Sequence, residues 1–215
     1  MEGPGEGRRL EEKTSLKALR EQLDVVGPSP GMRVLDAGGG TGAVARVLAE
    51  RVGPTGEVVV IDRSAERLAE GERLAMEAKI PNMRFLQRDL EQPPLNGHDF
   101  DYVWCRFLFE YLPDPLRVLR NLCAFARVDG KVVVGDLDGN GVNQYPPHPV
   151  VDAGIETILR CLAGRFDPFV GRKLVHLYYL AGIRLDAVHL FPYHVYSGAM
   201  GAADLRNWRE KFAVL

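Results

Sequence analysis

The run Val34-Leu35-Asp36-Ala37-Gly38-Gly39-Gly40-Thr41-Gly42 narrows the folds open to this chain more than any other stretch. Apolar residues lead up to Asp36, and four glycines in the next six residues strip the backbone of side chains. A glycine-rich turn between a strand and a helix lets backbone N–H groups approach a ligand. The helix start adds unpaired donors and the positive end of a dipole. Gly38-x-Gly40-x-x-Ala43 satisfies the looser dinucleotide pattern, and Asp62, twenty residues after Gly42, stands where a ribose-binding acid belongs. A carboxylate- or phosphate-bearing ligand suits such a loop, and the loop alone does not say which.

The rest of the chain repeats the alternation that the loop begins. Arg33–Leu35, Glu57–Ile61, Met83–Leu86, Phe100–Trp104 and Lys131–Val134 read as strands, with amphipathic segments between them. Val58-Val59-Val60-Ile61 is apolar at consecutive positions, as a strand buried on both faces requires. Leu16, Leu19, Leu23 and Val26 form a helical stripe ahead of the breaker Gly27-Pro28-Ser29-Pro30-Gly31. Ser64 is expected to cap a helix running to Lys79. Asp114-Pro115 opens a helix that Gly130 stops, and Asp167-Pro168 opens another that Gly182 stops. Pro149 to Leu162 reads as a further helix and Ile183–Phe191 as a sixth strand. Leu205, Trp208 and Phe212 are spaced as a helix, and the short run Tyr193–Tyr196 is the candidate for a seventh strand, whose placement stays open. The expected fold is α/β: a Rossmann-like, doubly wound, mostly parallel sheet with helices on both faces.

Composition removes several function classes. A chain of 215 residues with 46% hydrophobic residues can bury one sizeable core. Its 27 basic and 29 acidic residues nearly cancel, so no net field draws it to a nucleic acid or an anionic membrane. Cys105, Cys123 and Cys161 form no CxxC pair and fit reduced thiols in a cytoplasmic setting. The N-terminal stretch MEGPGEGRRLEEK has no apolar leader, and no run reaches membrane-spanning length.

Asp36 separates the ligands that a glycine loop can serve. A carboxylate two residues before the first glycine would oppose a pyrophosphate but attracts an ammonium. VLDAGGGTG resembles motif I of class I S-adenosylmethionine (SAM)-dependent methyltransferases, with Gly38, Gly40 and Gly42 supplying the GxGxG pattern. The resemblance continues through Val59-Val60-Ile61-Asp62, Phe85-Leu86-Gln87-Arg88-Asp89-Leu90, Phe100 to Arg106, Leu112-Pro113-Asp114-Pro115 and Asp129 to Val134. It covers about Pro30 to Asp136 and is nearest the small-molecule branch that includes ubiquinone and menaquinone C-methyltransferase-like proteins. It implies that Gly38 and Gly40, with Gly42 completing the loop, line the methionine portion, and that Asp36 orients the loop and the ligand's amino group. It further implies that Asp62, with Arg63 beside it, takes the ribose hydroxyls, that Asp89 accepts the adenine amino group next to Leu90, and that Cys105 offers its carbonyl.

Methyl transfer from a sulfonium is an in-line displacement, so positioning can supply much of the catalysis and a dedicated base is optional. The catalytic residues stay unassigned, with Tyr145 and His148 in the loop Asp136–His148 as the candidates. Phe107 is expected in the core, with shaping of the acceptor side as the alternative. No metal is expected: Asp136, Asp138 and Asn140 are few carboxylates for a hard cation, and Cys105-Arg106 follows the fourth strand where metal-dependent relatives need an acid. His176, His189 and His194 have no ligand spacing. The expected organisation is an N-terminal helical extension over 1–30, a SAM-binding methyltransferase domain over 31–196, and a C-terminal helix over 197–215, with truncation there as an alternative. The expected function is methyl transfer from SAM, giving S-adenosylhomocysteine, to a small organic acceptor, with no nucleic acid and with a homodimer possible. The alternatives are a non-catalytic SAM-binding or assembly protein and an NAD-dependent oxidoreductase.

Overall fold

The computed structural model describes residues 15–94, 99–139, 142, 145–193, 198–199, 201–202, 204–206 and 209. Two compact units divide the chain: residues 2–106 with 116–135, and residues 107–115 with 136–215. The first contains a five-stranded sheet in the order β3-β2-β1-β4-β5, and every pairing in it is parallel. The strands are β1 (Arg33–Ala37), β2 (Glu57–Asp62), β3 (Met83–Gln87), β4 (Phe100–Arg106) and β5 (Ala126–Gly135). The helices are α1 (Leu16–Val26), α2 (Ala43–Val52), α3 (Ala65–Glu77) and α4 (Pro115–Phe125). Right-handed crossovers place α2 and α3 on one face of this sheet and α4 on the other, the Rossmann-like arrangement. The direction of winding reverses between β1 and β4.

Side-chain alternation along the strands builds the core. Val34, Val58, Val60, Tyr102 and Trp104 share one face with Leu19 and Leu23 of α1 and with Ala45, Leu48, Ala49 and Val52 of α2. Leu35, Val59, Val103 and Cys105 occupy the alternate positions and are also buried, as are Val118, Leu119 and Leu122 of α4. Ser15 caps α1 by accepting the Ala18 N–H, and Ser64 caps α3 by accepting the Arg67 N–H, each at 3.3 Å. α3 ends at Glu77, and Lys79 follows with a positive φ of 55°.

The second unit contains a 3-10 turn (Phe109–Tyr111), α5 (Pro149–Leu162), a second 3-10 turn (Gly171–Lys173) and α6 (Leu174–Ala181). Gly182 stops α6 in the left-handed region. The only buried residue of α5 is Leu162, and Val150 is 75% exposed.

Three expectations are corrected. Gly130 does not stop α4: the helix ends at Phe125, and β5 starts at Ala126. Register then slips, so that Phe100 faces Ala126 while Tyr102 faces Lys131. Asp129 turns the bulge at φ 67°, and a Cβ on Gly130 would lie 2.9 Å from the Phe100 carbonyl oxygen, so close strand approach explains that glycine. Asp167-Pro168 opens a turn instead of a helix, because the Asp167 carboxylate accepts the Phe169 N–H two residues on, and α6 begins only at Leu174. Residues 183–193 form no strand. Their side chains find no buried face, with Leu190 at 91% exposure, and strand propensity is not realised without a neighbouring ladder. Tyr193 is described without strand structure, whereas 194–196, Trp208 and Phe212 lie outside the described residues.

Leu48, fully buried between α1 and the sheet, tests the core. Leu48→Ala is expected to cost about 2–5 kcal/mol, read as a lower urea midpoint at unchanged slope.

Candidate functional site

The loop between β1 and α2 has a backbone that only glycine adopts at low cost. Gly38, Gly40 and Gly42 have φ of 76°, 56° and 74°. Gly39 is barred from a side chain for another reason: a Cβ there would lie 2.6 Å from Asp36 Oδ2 and 2.7 Å from Val60 Cγ1. The Gly38 and Gly39 N–H groups both donate to the Ile61 carbonyl, at 2.7 and 3.2 Å, which ties the loop to the tip of β2.

Asp36 lies beneath this loop, 3% exposed. The Ala45 N–H in the first turn of α2 donates to its carboxyl group, so the strand supplies the acid that Gly42, at the N-cap, lacks. Its Oδ2 is buried without a hydrogen-bond partner. Burial, followed by the charge of Asp62, pushes the Asp36 carboxyl up to about 7, against the smaller opposing pulls of Arg106 and the Ala45 N–H.

Asp62, at the end of β2, joins the loop to the next helix. Its Oδ2 accepts the Gly40 N–H and its Oδ1 the Ser64 N–H, both at 2.9 Å. Arg67 Nη1 stands 3.7 Å from the same Oδ1. Arg63 is exposed, and its carbonyl accepts from the Gln87 side chain at 3.0 Å. Past β3, the exposed Asp89 accepts the Glu91 N–H at 2.9 Å, while Leu90 is buried and its carbonyl is held by the Asn121 side chain at 2.9 Å. Cys105 is buried near the end of β4. The nine residues expected at the cofactor thus fall at the carboxyl ends of β1, β2, β3 and β4. Two residues beside them carry weaker sequence signals. Asn121 interrupts the apolar stripe of α4, and Arg106 supplies the positive charge that acts on Asp36.

The second unit holds a different cluster. Phe107 has a φ of 58°, a conformation that costs a side-chain-bearing residue about 1–3 kcal/mol, and its ring meets Tyr193 edge-on at 5.1 Å. Asp136 takes three backbone donors: its Oδ2 accepts from the Phe109 and Glu110 N–H groups at 2.7 and 3.3 Å, and its Oδ1 from the Leu137 N–H at 2.8 Å. Glu110 is 2% exposed. Burial first, and then the Glu110 charge, raise the Asp136 carboxyl to about 7, against its three donors. Glu110 also lines a cavity of about 340 Å³ with Leu112, Pro113, Arg165, Phe166 and Asp167. Glu110 was not among the sequence candidates, because a glutamate between Phe109 and Tyr111 gives no sign of its burial. Tyr145 and His148 are exposed, Tyr145 at 94% and His148 at the N-cap of α5.

A parallel sheet with a bare glycine turn over an acid at the tip of β1, and a second acid at the tip of β2, defines a Rossmann-like cofactor-binding protein of the methyltransferase class. Residues 28–157 match the Methyltransf_31 model, described as a methyltransferase domain, and the chain belongs to that family. It is 35% identical over 116 residues to the ubiquinone/menaquinone biosynthesis C-methyltransferase UbiE of Ectopseudomonas mendocina (strain ymp), covering 54% of this chain and 45% of that one. It is 33% identical over 121 residues to the demethylmenaquinone methyltransferase of Shouchella clausii (strain KSM-K16), covering 56% and 50%. The chain thus spans about half the length of these curated relatives. Among solved structures, a SAM-dependent methyltransferase from Aquifex aeolicus shares the fold, with a TM-score of 0.59 at 23% identity, over 76% of this chain and 89% of that one.

Asp36 gives the site a pH signature. An acid that stays protonated to about pH 7 when folded, yet ionises in the ordinary carboxylate range when unfolded, contributes stability that is full at low pH and is lost as pH rises through about 7. Urea unfolding between pH 5 and 8 is expected to show this loss in the wild type and a shallower one in Asp36→Asn. Parallel curves for the two proteins would mean that Asp36 is already ionised at pH 5.

Proposed function

We propose that this protein transfers a methyl group from SAM to a small organic acceptor. The observation that carries this reading is the pairing of the side-chain-free loop with two acids that retain acceptor capacity. A carboxylate has about four lone-pair sites. Asp62 uses one on each oxygen for Gly40 and Ser64, which leaves one on each for two adjacent ribose hydroxyls. Asp36 Oδ2 lies directly beneath Gly39, so an ionised Asp36 presents negative charge through the thinnest part of the loop to a ligand ammonium. A dinucleotide would set its pyrophosphate over that same charge, which disfavours the oxidoreductase alternative.

In this reading Gly38, Gly40 and Gly42 bring backbone to the methionine end, Asp62 with Arg63 beside it fixes the ribose, and Asp89 and Leu90 flank the adenine. The Cys105 carbonyl completes the slot. Bound SAM supplies an electrophilic methyl group on a sulfonium that leaves as a neutral thioether. The chain's contribution is orientation and exclusion of water, since displacement depends on in-line approach. The curated relatives are named for methylation in quinone biosynthesis, which supports a small cyclic organic acceptor here. Tyr145 and His148 remain the proposed acceptor-side candidates.

The methyltransferase domain is proposed to span 31–196, flanked by 1–30 and 197–215. None of the described helices is long and apolar enough to cross a membrane, and the three cysteines are free thiols, which supports a cytoplasmic protein. β5 is one of the two outer strands of the described sheet, and its edge is the proposed seat of a homodimer contact.

Calorimetry with SAM, S-adenosylhomocysteine and NAD tests the function. The first two are expected to bind, and binding of NAD alone would reject the reading. Asp62→Ala is expected to weaken SAM binding by about 1.5–3 kcal/mol, the range for lost hydrogen bonds to a charged group. Unchanged affinity in a folded variant would place the ribose elsewhere.

A further inference from the structure

Asn121 is the polar member of the buried set of α4, whose other members are Val118, Leu119, Leu122 and Phe125. A side-chain amide taken out of water is costly unless it is hydrogen-bonded. The Asn121 Nδ2 donates to the Leu90 carbonyl at 2.9 Å, a buried bond between residues 31 apart in the chain, within the first unit. That carbonyl belongs to the peptide group between Leu90 and Glu91, and the N–H of the same group donates to Asp89 Oδ1 at 2.9 Å. A peptide group is planar, so holding its carbonyl fixes the direction of its N–H. One peptide plane therefore links the Asn121 side chain to the Asp89 carboxylate.

We propose that Asn121 is a positioning residue for recognition of the adenine amino group, and that it thereby favours an adenine nucleoside over one with a 6-oxo base. The assignment rests on the methyl-transfer reading above, in which Asp89 accepts that amino group. Asp89 is exposed, and the Glu91 N–H selects one orientation of its carboxylate by holding Oδ1. The direction of the second oxygen is then set as well. An amino group donates to that oxygen, whereas a 6-oxo group turns its own lone pairs against it.

The turn itself does not dictate which way this peptide points. The Gln92 N–H donates to the Asp89 carbonyl at 3.2 Å, closing a turn over residues 89–92 with the 90–91 peptide at its centre. Turns of types I and II share that closing bond and differ in the direction of the central peptide. The Arg88 N–H donates to the Asp62 carbonyl at 3.0 Å, which ties the start of the segment to β2. Glu91 pairs with Arg117, and the Arg88 guanidinium lies 5.8 Å from the centre of the Phe125 ring, so both hold the segment beside α4 through side chains. The Asn121 donor acts on the central peptide, and its loss frees that peptide to turn and Asp89 to leave its orientation.

Calorimetry with S-adenosylhomocysteine and S-inosylhomocysteine, which carries a 6-oxo group in place of the amino group, tests this in the wild type and in Asn121→Leu. The substitution nearly keeps the size and removes the donor. The wild type is expected to prefer the adenosyl compound by about tenfold or more, the scale of a hydrogen bond to a charged group. In Asn121→Leu this preference is expected to fall by about threefold or more, the scale of coupling within one hydrogen-bond network. Asp89→Ala is expected to abolish the preference, and adding Asn121→Leu to it should change the ratio no further. A second readout needs no variant: in nitrogen-15 NMR spectra of the wild type, the Glu91 amide and the Asn121 side-chain amide are expected to shift further on saturation with the adenosyl compound than with the inosyl one. A ratio unmoved by Asn121→Leu, with both affinities lowered equally, is the result of a purely structural role and overturns the proposal. So do Glu91 and Asn121 resonances that answer alike to the two compounds. A wild type that binds both compounds without preference overturns the proposal and leaves methyl transfer standing, whereas a wild type that binds neither rejects the methyl-transfer reading and the proposal together.

Discussion

The hold of Asp62 on Gly40 is the contact on which the rest of the candidate site depends. A loop with three residues in the left-handed region has no regular ladder to satisfy its N–H groups, and buried donors left unpaired are costly. Strand tips supply the missing acceptors: the Ile61 carbonyl takes Gly38 and Gly39, and the Asp62 carboxylate takes Gly40. The same carboxylate takes Ser64, whose hydroxyl caps α3. One side chain therefore fixes the loop and the start of the next helix, and the lone pairs it does not spend are those the proposed ribose would use.

Asp36 repeats this economy from the neighbouring strand, with a different electrostatic outcome. Asp62 reaches its donors at the tip of β2, whereas Asp36 is covered by Gly39 and has one oxygen without a donor. Desolvation therefore governs it, and its proton is held to about pH 7. Asp136, in the second unit, has three donors and is still raised, because burial and the Glu110 charge outweigh them. Hydrogen bonds to the charged form do not guarantee a low proton affinity when a second carboxyl shares the enclosure.

The five strands were legible because each is a short apolar run bounded by turn residues, and every one appears with its ends extended by no more than five residues. Ser64 and Asp114-Pro115 marked helix starts through local hydrogen bonding and a fixed φ. Where the reading missed, the deciding interaction was not local. Gly130 looks like a helix stop until β4 is seen to approach it, and Ile183–Phe191 has the composition of a strand but no partner in the described sheet. Asp167-Pro168 failed differently, because the same Asx chemistry closes a turn and opens a helix.

The sequence by itself determined the order of elements, the glycine positions of the loop and the placing of acids at successive strand tips, since these follow from periodicity, backbone freedom and spacing along the chain. Only the tertiary structure decided which acid is sealed and which keeps open acceptor sites, and that the charge of Glu110 acts on Asp136. Proton affinity depends on enclosure and on charges brought near by folding. The chain places Glu110 and Asp136 on segments after different strands, and nothing in either segment records the distance between them.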